Sequence, residues 1–482
     1  MSRLTKYILI LTMLLSVSCE DWLDLTPPDG LVQDEYWKTK EDVMATLMGA
    51  YQIFTEMDEL LFLYGEVRGD LVSRDNNTPG YIEDVMDGNI YPSNDLCNWS
   101  QFYEIINYCN FVLKYNPIIF DNDPTYTQYQ MLGVRAEAIY LRSLAYFYLV
   151  RIFKEVPFFV EPTQSDNVDL YLPKSSDTLV LSTIKSELLE VRNFVTDDYG
   201  SIENNIGRAS RNAINALLAD ISLWNFEYED ALGYIAEIEK TIINLVQSGQ
   251  WFSIYYPGNS LEGIFELQYN SSQGQNNNLY KVTYTERNYT ASITAVELLS
   301  RESAKEFIRG DGSFRVSDSK IWKYCGSAAD GASLRPGSER LSANWIVYRF
   351  ADILLMKAEA LSQLERYNEA IVPLNEVRKR ANMDELSMVE NTQEFEDMIL
   401  NERAKELAFE GKRWFDLLRM GRRNDYQRKD KLIGIIIKNV PANQRLVLAS
   451  KLSNPNGWYL PIEDTELERN KNLVQNPYYE GY

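Results

Sequence analysis

Apolar residues recur at helical spacing along much of the chain. From Glu41 onward they fall three or four residues apart, which is the spacing of one face of an α-helix. The same periodicity runs through residues 101–113 and 135–153, and Val156-Pro157 ends the last of these stretches. The pattern predicts a mainly α-helical protein whose first helix begins near residue 41.

Two later segments repeat each other. When Tyr228 is aligned with Tyr367, a shift of 139 residues, the positions around them match in character. The matched pairs are Ala219 with Ala358, Asp220 with Glu359, Ala231 with Ala370 and Ile235 with Leu374. A small residue on one helix, with Tyr-x-x-Ala opening the next, is typical of tetratricopeptide hairpins, in which small residues let two helices pack closely. We therefore expect helical hairpins that stack into a scaffold.

The stretch of residues 250–341 differs in composition. It is rich in Gly, Ser, Asn and Tyr, and short apolar alternations occur at residues 264–269 and 280–284. Alternation is the pattern of a β-strand, so we predict loops with a few short strands. Long irregular segments on a rigid scaffold usually hold binding residues, and the functional region is therefore expected here.

The N-terminus carries an export signal. Arg3 and Lys6 precede an apolar run that ends at Leu15, and Cys19 follows soon after. The run is shorter than the roughly 20 residues that cross a bilayer core. We predict that residues 1–18 are a lipoprotein signal peptide, that Cys19 is acylated with palmitate among its chains, and that residues 19–40 form an extended tether.

A single domain is expected to follow the tether over residues 41–482. Its parts are an N-terminal part over about residues 41–250, the loop-rich insert over about 250–341, and a C-terminal helical part over about 342–482. The 482 residues, 45% of them hydrophobic, are enough to bury a substantial core. Cys97, Cys109 and Cys325 are an odd number, which excludes a closed disulfide framework and leaves a single bridge open.

Charge and composition exclude several classes of function. The net charge of −22 argues against nucleic acid, whose binders present basic faces, and disfavours polyanionic substrates. Histidine is absent, which removes Ser-His-Asp and Cys-His catalysis and most zinc sites. Membrane association is therefore expected through the lipid anchor alone, and no cofactor is predicted.

Three C-terminal segments resemble the SusD/RagB family of outer-membrane nutrient-binding lipoproteins of Bacteroidetes. They are residues 348–360 with Arg349-Phe350-Ala351-Asp352, residues 401–419, and residues 459–477. Phe350 stands where the family commonly has Tyr, and Glu463 where it has Pro. Trp99, Tyr103, Ile106 and Asn110 also lie at the family's spacing, so the resemblance spans most of the chain after the signal peptide.

The resemblance implies a fold and a function. The fold would place tetratricopeptide-like helical hairpins on one side and irregular loops with a few short strands on the other. The protein would sit on the cell surface, bind an oligosaccharide or polysaccharide, and deliver it to a SusC-like TonB-dependent transporter barrel in the outer membrane without acting as an enzyme. A peptide ligand, a surface glycoside hydrolase and a scaffold without a ligand remain as alternatives.

The spacing of three C-terminal glutamates suggests a possible catalytic site. Glu402, Glu406 and Glu410 are spaced four apart, which puts three carboxylates on one helix face. The neighbouring Arg403 and Lys405, among other cations, favour surface ion pairs instead, so we predict no catalytic residue there.

Aromatic and amide residues outside the helices are the better candidates for ligand binding. Sugar rings present apolar C–H faces that stack on flat side chains, while amides and carboxylates hydrogen-bond their hydroxyls. Aromatics at helical spacing, such as Trp224 and Trp414, are expected in the core. The candidate ligand contacts are Asp75, Asn76, Tyr81, Trp99, Tyr269, Tyr280, Tyr284 and Tyr289.

Acidic loops raise the question of calcium. Asp311, Asp318 and residues 121–123 offer oxygen ligands, but none follows the twelve-residue EF-hand spacing with its closing Glu. No metal site is predicted, and a structural Ca²⁺ stays an open alternative.

Overall fold

The computed structural model describes residues 36–163, 171–196, 198–300 and 307–480. The predicted signal peptide, Cys19 and nearly all of the predicted tether lie outside the described residues. Within the described ranges, no helix combines the length and the apolarity needed to span a bilayer.

Helices form most of the N-terminal part. Their bounds are α1 Lys40–Thr55, α2 Asp58–Glu66, α3 Gly80–Met86, α4 Ser100–Asn122, α5 Gln128–Phe153, α6 Asp177–Val191, α7 Ile202–Gly207, α8 Arg211–Trp224 and α9 Tyr228–Glu239. A capping box between Thr127 and Gln130 starts α5. Nearly all residues of α5 from Gly133 onward are buried, because α4 and α6 pack against it. The helices predicted over residues 101–113 and 135–153 are confirmed as α4 and α5.

The C-terminal part is also helical. Its elements are α10 Ile293–Ser300, α11 Phe307–Ser313, α12 Phe350–Gln363, α13 Tyr367–Arg380, α14 Thr392–Glu406, α15 Arg413–Tyr426, α16 Lys429–Ile436, α17 Arg445–Leu452 and α18 Asp464–Arg469. The mainly α fold predicted from the periodicity is therefore confirmed. Helices α10 and α11 lie in the stretch for which the sequence predicted only loops and strands.

Two helical hairpins, α8–α9 and α12–α13, stack on each other. Tyr228 is the first residue of α9 and Tyr367 the first residue of α13, so the alignment of the two tyrosines marks the same position in both hairpins. Ala219 on α8 and Ala358 on α12 are fully buried at the helix contacts. Helix α9 packs against α12, which joins the two hairpins as predicted.

In the described part of the chain the strands form three two-stranded antiparallel sheets. They pair β1 Val72–Arg74 with β5 Tyr289–Ala291, β2 Val156–Pro157 with β3 Lys174–Ser175, and β4 Gly263–Leu267 with β6 Trp345–Arg349. The strand predicted over residues 264–269 is confirmed by β4.

The strand predicted over residues 280–284 is wrong, because the chain there forms a π-helical turn, Lys281–Thr285. Asn277 accepts a hydrogen bond from the Leu279 N–H at 2.7 Å, and the Thr283 hydroxyl donates to the Leu279 carbonyl at 2.5 Å. These local bonds curl a segment whose alternating pattern resembled an extended one.

The described residues bury two hydrophobic clusters. The main one runs from α1 to the C-terminal segment and includes Trp224 and Trp414, as predicted. The second lies under the loop-rich region and is formed by Trp251, Phe252, Ile254, Tyr255, Trp322, Cys325 and Ile346. Cys97, Cys109 and Cys325 are free and buried, so the described residues contain no disulfide.

The three C-terminal glutamates are buried, which corrects the prediction of surface ion pairs. Glu402, Glu406 and Glu410 are 1%, 0% and 3% exposed. Their partners come from distant segments rather than from neighbours along the chain. The ion pairs are Arg309 and Arg378 with Glu402, Arg309, Arg349 and Arg380 with Glu406, and Arg349 and Lys323 with Glu410. All the carboxylates of this group are occupied in holding the fold together.

Candidate functional site

Pairing of β1 with β5 brings two loops together. Arg74 at the end of β1 lies opposite Tyr289 at the start of β5, so the loop after β1 meets the loop before β5. Arg287 forms an ion pair with Asp75 at 2.7 Å, and Asn77 donates its side-chain N–H to the Glu286 carbonyl. The predicted contact Asp75 is therefore held against the segment that carries Tyr280 and Tyr284.

Asn76 stands at the exposed tip of the first loop. Its backbone N–H donates to the Asp75 carboxylate at 2.7 Å, and its side chain is exposed. The Asp75 N–H in turn donates to the Thr78 hydroxyl at 2.9 Å, which fixes the turn. An amide is thus presented to solvent by an ordered loop.

Tyr280 and Tyr284 form a stacked pair on the surface, which we call the tyrosine platform. Their ring centroids are 5.5 Å apart and their planes differ by 16°. Both rings are half-buried, because they pack on the second hydrophobic cluster, and Trp322 of that cluster lies 6.2 Å from Tyr284. Two aromatic side chains are therefore held rigidly at the surface by the packing beneath them.

Cations surround the platform. The Arg315 guanidinium lies 5.2 Å and the Lys320 ammonium 4.2 Å from the Tyr284 ring centroid, while Arg340 lies 5.9 Å from that of Tyr280. Arg315 also donates to the Tyr284 hydroxyl at 3.2 Å and Arg340 to that of Tyr280 at 3.5 Å. A β-bridge between Thr290 and Lys320 ties this cationic loop to β5.

Arg315 and Asp318 each favour the ionised form of the other. Hydrogen bonding to Asp318, at 2.8 Å between Arg315 Nε and Oδ1, raises the pKa of Arg315 above its usual value. The same hydrogen bonds from Arg315 lower the pKa of Asp318. Both groups are therefore fully ionised at neutral pH.

Two predicted contacts lie in the core instead of at the surface. Tyr289 is 0% exposed and packs 5.7 Å from Phe62, and Tyr269 is 7% exposed and donates its hydroxyl to the Thr55 carbonyl at 2.8 Å. Strand pairing turns Tyr289 inward, and the sheet of β4 and β6 carries Tyr269 against α1. These two side chains are therefore removed from the set of ligand contacts.

The remaining two candidates occupy other positions. Tyr81 on α3 is half-buried against the main core, and burial raises its pKa. Trp99 is 3% exposed and contacts Tyr103 and Phe153 edge to face, at 5.6 and 5.2 Å. It lines a cleft of about 440 Å³ together with α4, the segment after β2 and α18. No other predicted contact is among the described residues of that cleft.

Arg315, Lys320 and Arg340 were not among the sequence candidates. They approach the tyrosines from segments 31 to 60 residues away in the chain, so no local spacing marks them. The only available signal was the presence of basic residues in an otherwise polar, aromatic insert.

Acidic residues predicted as oxygen donors are used in other contacts. Asp123 accepts from the Lys40 and Thr125 N–H groups at 3.1 and 2.8 Å, and Asp318 pairs with Arg315. Over the ranges that the structure describes, no group of three acidic or sulfur-bearing side chains has metal-binding geometry.

The fold and the site together define a class of protein. A helical-hairpin scaffold carries a loop-rich region with an aromatic pair and several cations, and the segment after that pair contacts the loop whose tip is the exposed Asn76. Such a region is suited to binding a flat, hydroxyl-rich ligand.

Two family models match this chain. The SusD family model matches residues 312–479, and a model described as starch-binding associating with outer membrane matches residues 21–223. Together they match more than two thirds of the chain, and the chain belongs to the SusD family.

Similar proteins are found in Bacteroidetes. SusD-like protein P38 of Formosa agariphila is 26% identical over 476 residues, covering 86% of this chain and 90% of that protein. A SusD-like protein of Bacteroides ovatus is 21% identical and covers 84% of this chain and 80% of its own length.

Solved structures share the fold. A SusD superfamily protein from Bacteroides vulgatus superposes with a TM-score of 0.75 at 20% identity, covering 92% of this chain and 99% of its own. A laminarin-binding SusD-like protein gives a TM-score of 0.72 at 20% identity, with coverage of 92% and 100%.

Proposed function

We propose that this protein is a cell-surface lipoprotein that captures a glycan and delivers it to a SusC-like TonB-dependent transporter. The observation that carries the proposal is the tyrosine platform, Tyr280 and Tyr284, which is followed in the chain by the residues that contact the Asp75–Asn76 loop. Membership of the SusD family and the laminarin-binding relative support a saccharide over other ligands.

The platform has the chemistry that a sugar ring requires. Pyranose rings have apolar C–H faces, and a tyrosine of the pair offers matching flat surface on the ring face that its stacking partner does not cover. The exposed amide of Asn76 and the guanidinium groups of Arg315 and Arg340 supply hydrogen-bond donors for hydroxyl groups. The ion pair between Asp75 and Arg287 holds the two loops in place. The binding residues are therefore positioned before the ligand arrives, and little conformational entropy is lost on binding.

Capture without turnover fits the surrounding residues. A glycosidase needs two carboxyl groups across a cleft, and Asp318 beside the platform and Asp75 on the neighbouring loop are each held by an arginine. Delivery to a transporter needs reversible binding, and an acyl anchor at Cys19 would keep the binding face beside the barrel.

Binding by the soluble body, from Asp21 onward, tests the proposal. Calorimetry against a panel of plant, host and microbial polysaccharides and mixed peptides is expected to give a saccharide hit without release of shorter products. Tyr280→Ala and Tyr284→Ala should each weaken that binding by about tenfold, the loss of one aromatic contact.

Tyr129→Ala is the matched control, since Tyr129 is a tyrosine on α5 that is 63% exposed. Its binding should equal that of the wild type. Exclusive peptide binding, or release of products over long incubation, would overturn the proposal in favour of a peptide carrier or a hydrolase.

A further inference from the structure

We infer that the glycan bound at the tyrosine platform is acidic, and that the oxyanion of its sugar, a carboxylate or a sulfate, pairs with Arg340 and Lys320. This inference rests on the proposed function and names its substrate class. It is carried by the way charges are distributed around Tyr280 and Tyr284.

Arg340 is a half-buried cation without an anionic partner. Its contacts are the Arg335 carbonyl, 2.9 Å from Nε, and the Tyr280 hydroxyl, 3.5 Å from Nη1. Among the described residues no carboxylate lies within ion-pair distance, and the adjacent Glu339 instead accepts from the Tyr256 hydroxyl at 2.6 Å. A guanidinium has five N–H donors in a fork that fits an oxyanion, so most of its capacity is open.

Lys320 shares with Arg315 the one carboxylate that lies within ion-pair distance of it among the described residues. Asp318 is bound by Arg315, with Nε 2.8 Å from Oδ1, and Lys320 Nζ is 3.9 Å from the other carboxylate oxygen. Two cations at Tyr284 are therefore matched by one anion in the described structure. The excess positive charge lies on the platform side, because the ammonium is 4.2 Å from the ring centroid of Tyr284.

Arg335 adds a buried charge beneath this surface. It is 2% exposed and donates to the Gly326 and Tyr255 carbonyls, at 3.0 and 2.5 Å, with no carboxylate partner in the described part of the chain. Burial lowers the pKa of Arg335 to about 10, which leaves it protonated at neutral pH. An anion at the surface above would be attracted by this fixed charge.

The phenol hydroxyls complete the set of donors. Each accepts a hydrogen bond from an arginine, Tyr284 from Arg315 at 3.2 Å and Tyr280 from Arg340 at 3.5 Å. The hydroxyl protons are thereby left to donate to a ligand. Guanidinium, ammonium and phenol donors beside one aromatic pair suit an acidic sugar, which has both an oxyanion and an apolar ring face.

The net charge of −22 by itself would repel an acidic ligand. Whether this repulsion outweighs the attraction to the local cations depends on how strongly salt screens each of them. At physiological salt the Debye length is about 8 Å, so distant surface carboxylates are largely screened while cations in contact with the ligand are not. Local charge at the platform therefore determines the preference.

Matched acidic and neutral glycans test the inference. Oligomers of galacturonic acid, their carboxyl-reduced counterparts and a sulfated galactan would be titrated calorimetrically into the soluble body. An acidic glycan, uronic or sulfated, is expected to bind at least about tenfold more tightly than the neutral one, because charge-assisted bonds add to the same stacking. Which acidic glycan binds identifies the source of the oxyanion.

Charge variants locate the effect. Arg340→Gln and Lys320→Gln should each weaken binding of the acidic glycan by about tenfold more than binding of the neutral one, because only the acidic glycan loses the cation that pairs with its oxyanion. Arg366→Gln is the control, an arginine on the surface before α13 that pairs with Glu369. Arg340→Lys retains the positive charge and should keep most of the preference for the acidic glycan. It therefore distinguishes loss of charge from a folding defect in Arg340→Gln.

The outcomes separate the inference from the function on which it rests. Equal affinity for the acidic glycans and the carboxyl-reduced one overturns the inference and leaves glycan capture standing. Absence of any saccharide binding overturns both. A preference for acid that survives in Arg340→Gln and Lys320→Gln also overturns the inference, since the oxyanion would then be bound elsewhere.

Discussion

Nη1 of Arg349 lies 2.7 Å from Oε1 of Glu406, and neither side chain is more than 1% exposed. Arg349 ends β6 and Glu406 ends α14, so the ion pair joins the sheet beside the loop-rich region to the C-terminal helices. Burial alone would raise the pKa of Glu406, but attraction to Arg380, Arg349 and Arg309 outweighs it and holds the pKa well below the usual value. The stability that Glu406 contributes is therefore present at neutral pH and lost as the pH falls through its lowered pKa.

Glu406→Gln should destabilise the protein strongly. The variant leaves three buried arginines with one fewer carboxylate, and removing one partner of a buried pair costs about 3–5 kcal/mol. The free energy of unfolding from chemical denaturation measures the effect. Glu369→Gln, which breaks an exposed pair with Arg366, should leave the denaturation midpoint unchanged. Equal midpoints for both variants would contradict the structural role of the network.

The sequence predicted where helices begin, but it did not predict that Glu406 is buried. Tyr228 and Tyr367 were assigned to the same hairpin position because local periodicity determines where helices begin. The partners of Glu406 could not be assigned, because Arg309 and Arg349 lie far away in the chain. Spacing predicted the helix that carries Glu402 and Glu406, but the helix ends at Glu406 and Glu410 lies in the turn after it. The long-range packing that buries these carboxylates leaves no local signal.

The same limit applies to the candidate site. Composition identified the loop-rich insert and the Asp75 loop, and the structure brings both to one surface. Composition alone did not distinguish Tyr284 from Tyr289. Tyr284 packs on the second cluster and is half-buried, whereas strand pairing turns Tyr289 inward. The cations beside the platform also depend on tertiary contacts, so they emerged only from the fold.

Glu66 should make stability depend on pH near neutrality. Burial raises its pKa to about 8, although Oε1 accepts from the Gly411 N–H at 2.8 Å. A raised pKa gives stability that is complete below the unfolded value near 4.5 and lost as the pH rises through about 8.

Glu66→Gln keeps the acceptor and removes the titration. Between pH 5 and about pH 8 the wild type should lose stability relative to the variant, by at most about 1.4 kcal/mol per pH unit. Urea denaturation across this range measures the difference, with Glu369→Gln as the control. Parallel curves for wild type and Glu66→Gln would show that Glu66 does not titrate near neutral pH.

Gly65 and Gly233 should respond to alanine in opposite directions. A Cβ at Gly65 would overlap the backbone of Gly411, whereas at Gly233 on α9 it meets no atom within 4 Å. Gly65→Ala is expected to cost about 1–3 kcal/mol through overpacking. Gly233→Ala is expected to stabilise by about 0.4–1 kcal/mol, since alanine favours the helix. Thermal denaturation of both variants tests this contrast, and a similar shift in both would refute the close approach of α2 to Gly411.

Tyr284→Ala and Tyr289→Ala should separate binding from stability. Tyr289 is fully buried beside Phe62, so its truncation should cost about 3–5 kcal/mol, the usual range for a core aromatic. Tyr284 is half-buried on the surface, and its truncation should cost less stability but weaken glycan binding by about tenfold. Denaturation midpoints and calorimetric affinities, measured on the same preparations, test both halves. The opposite result would be full affinity in Tyr284→Ala and lost affinity in Tyr289→Ala, measured at a low temperature at which both variants are folded. The ligand would then contact β5 and not the tyrosine platform.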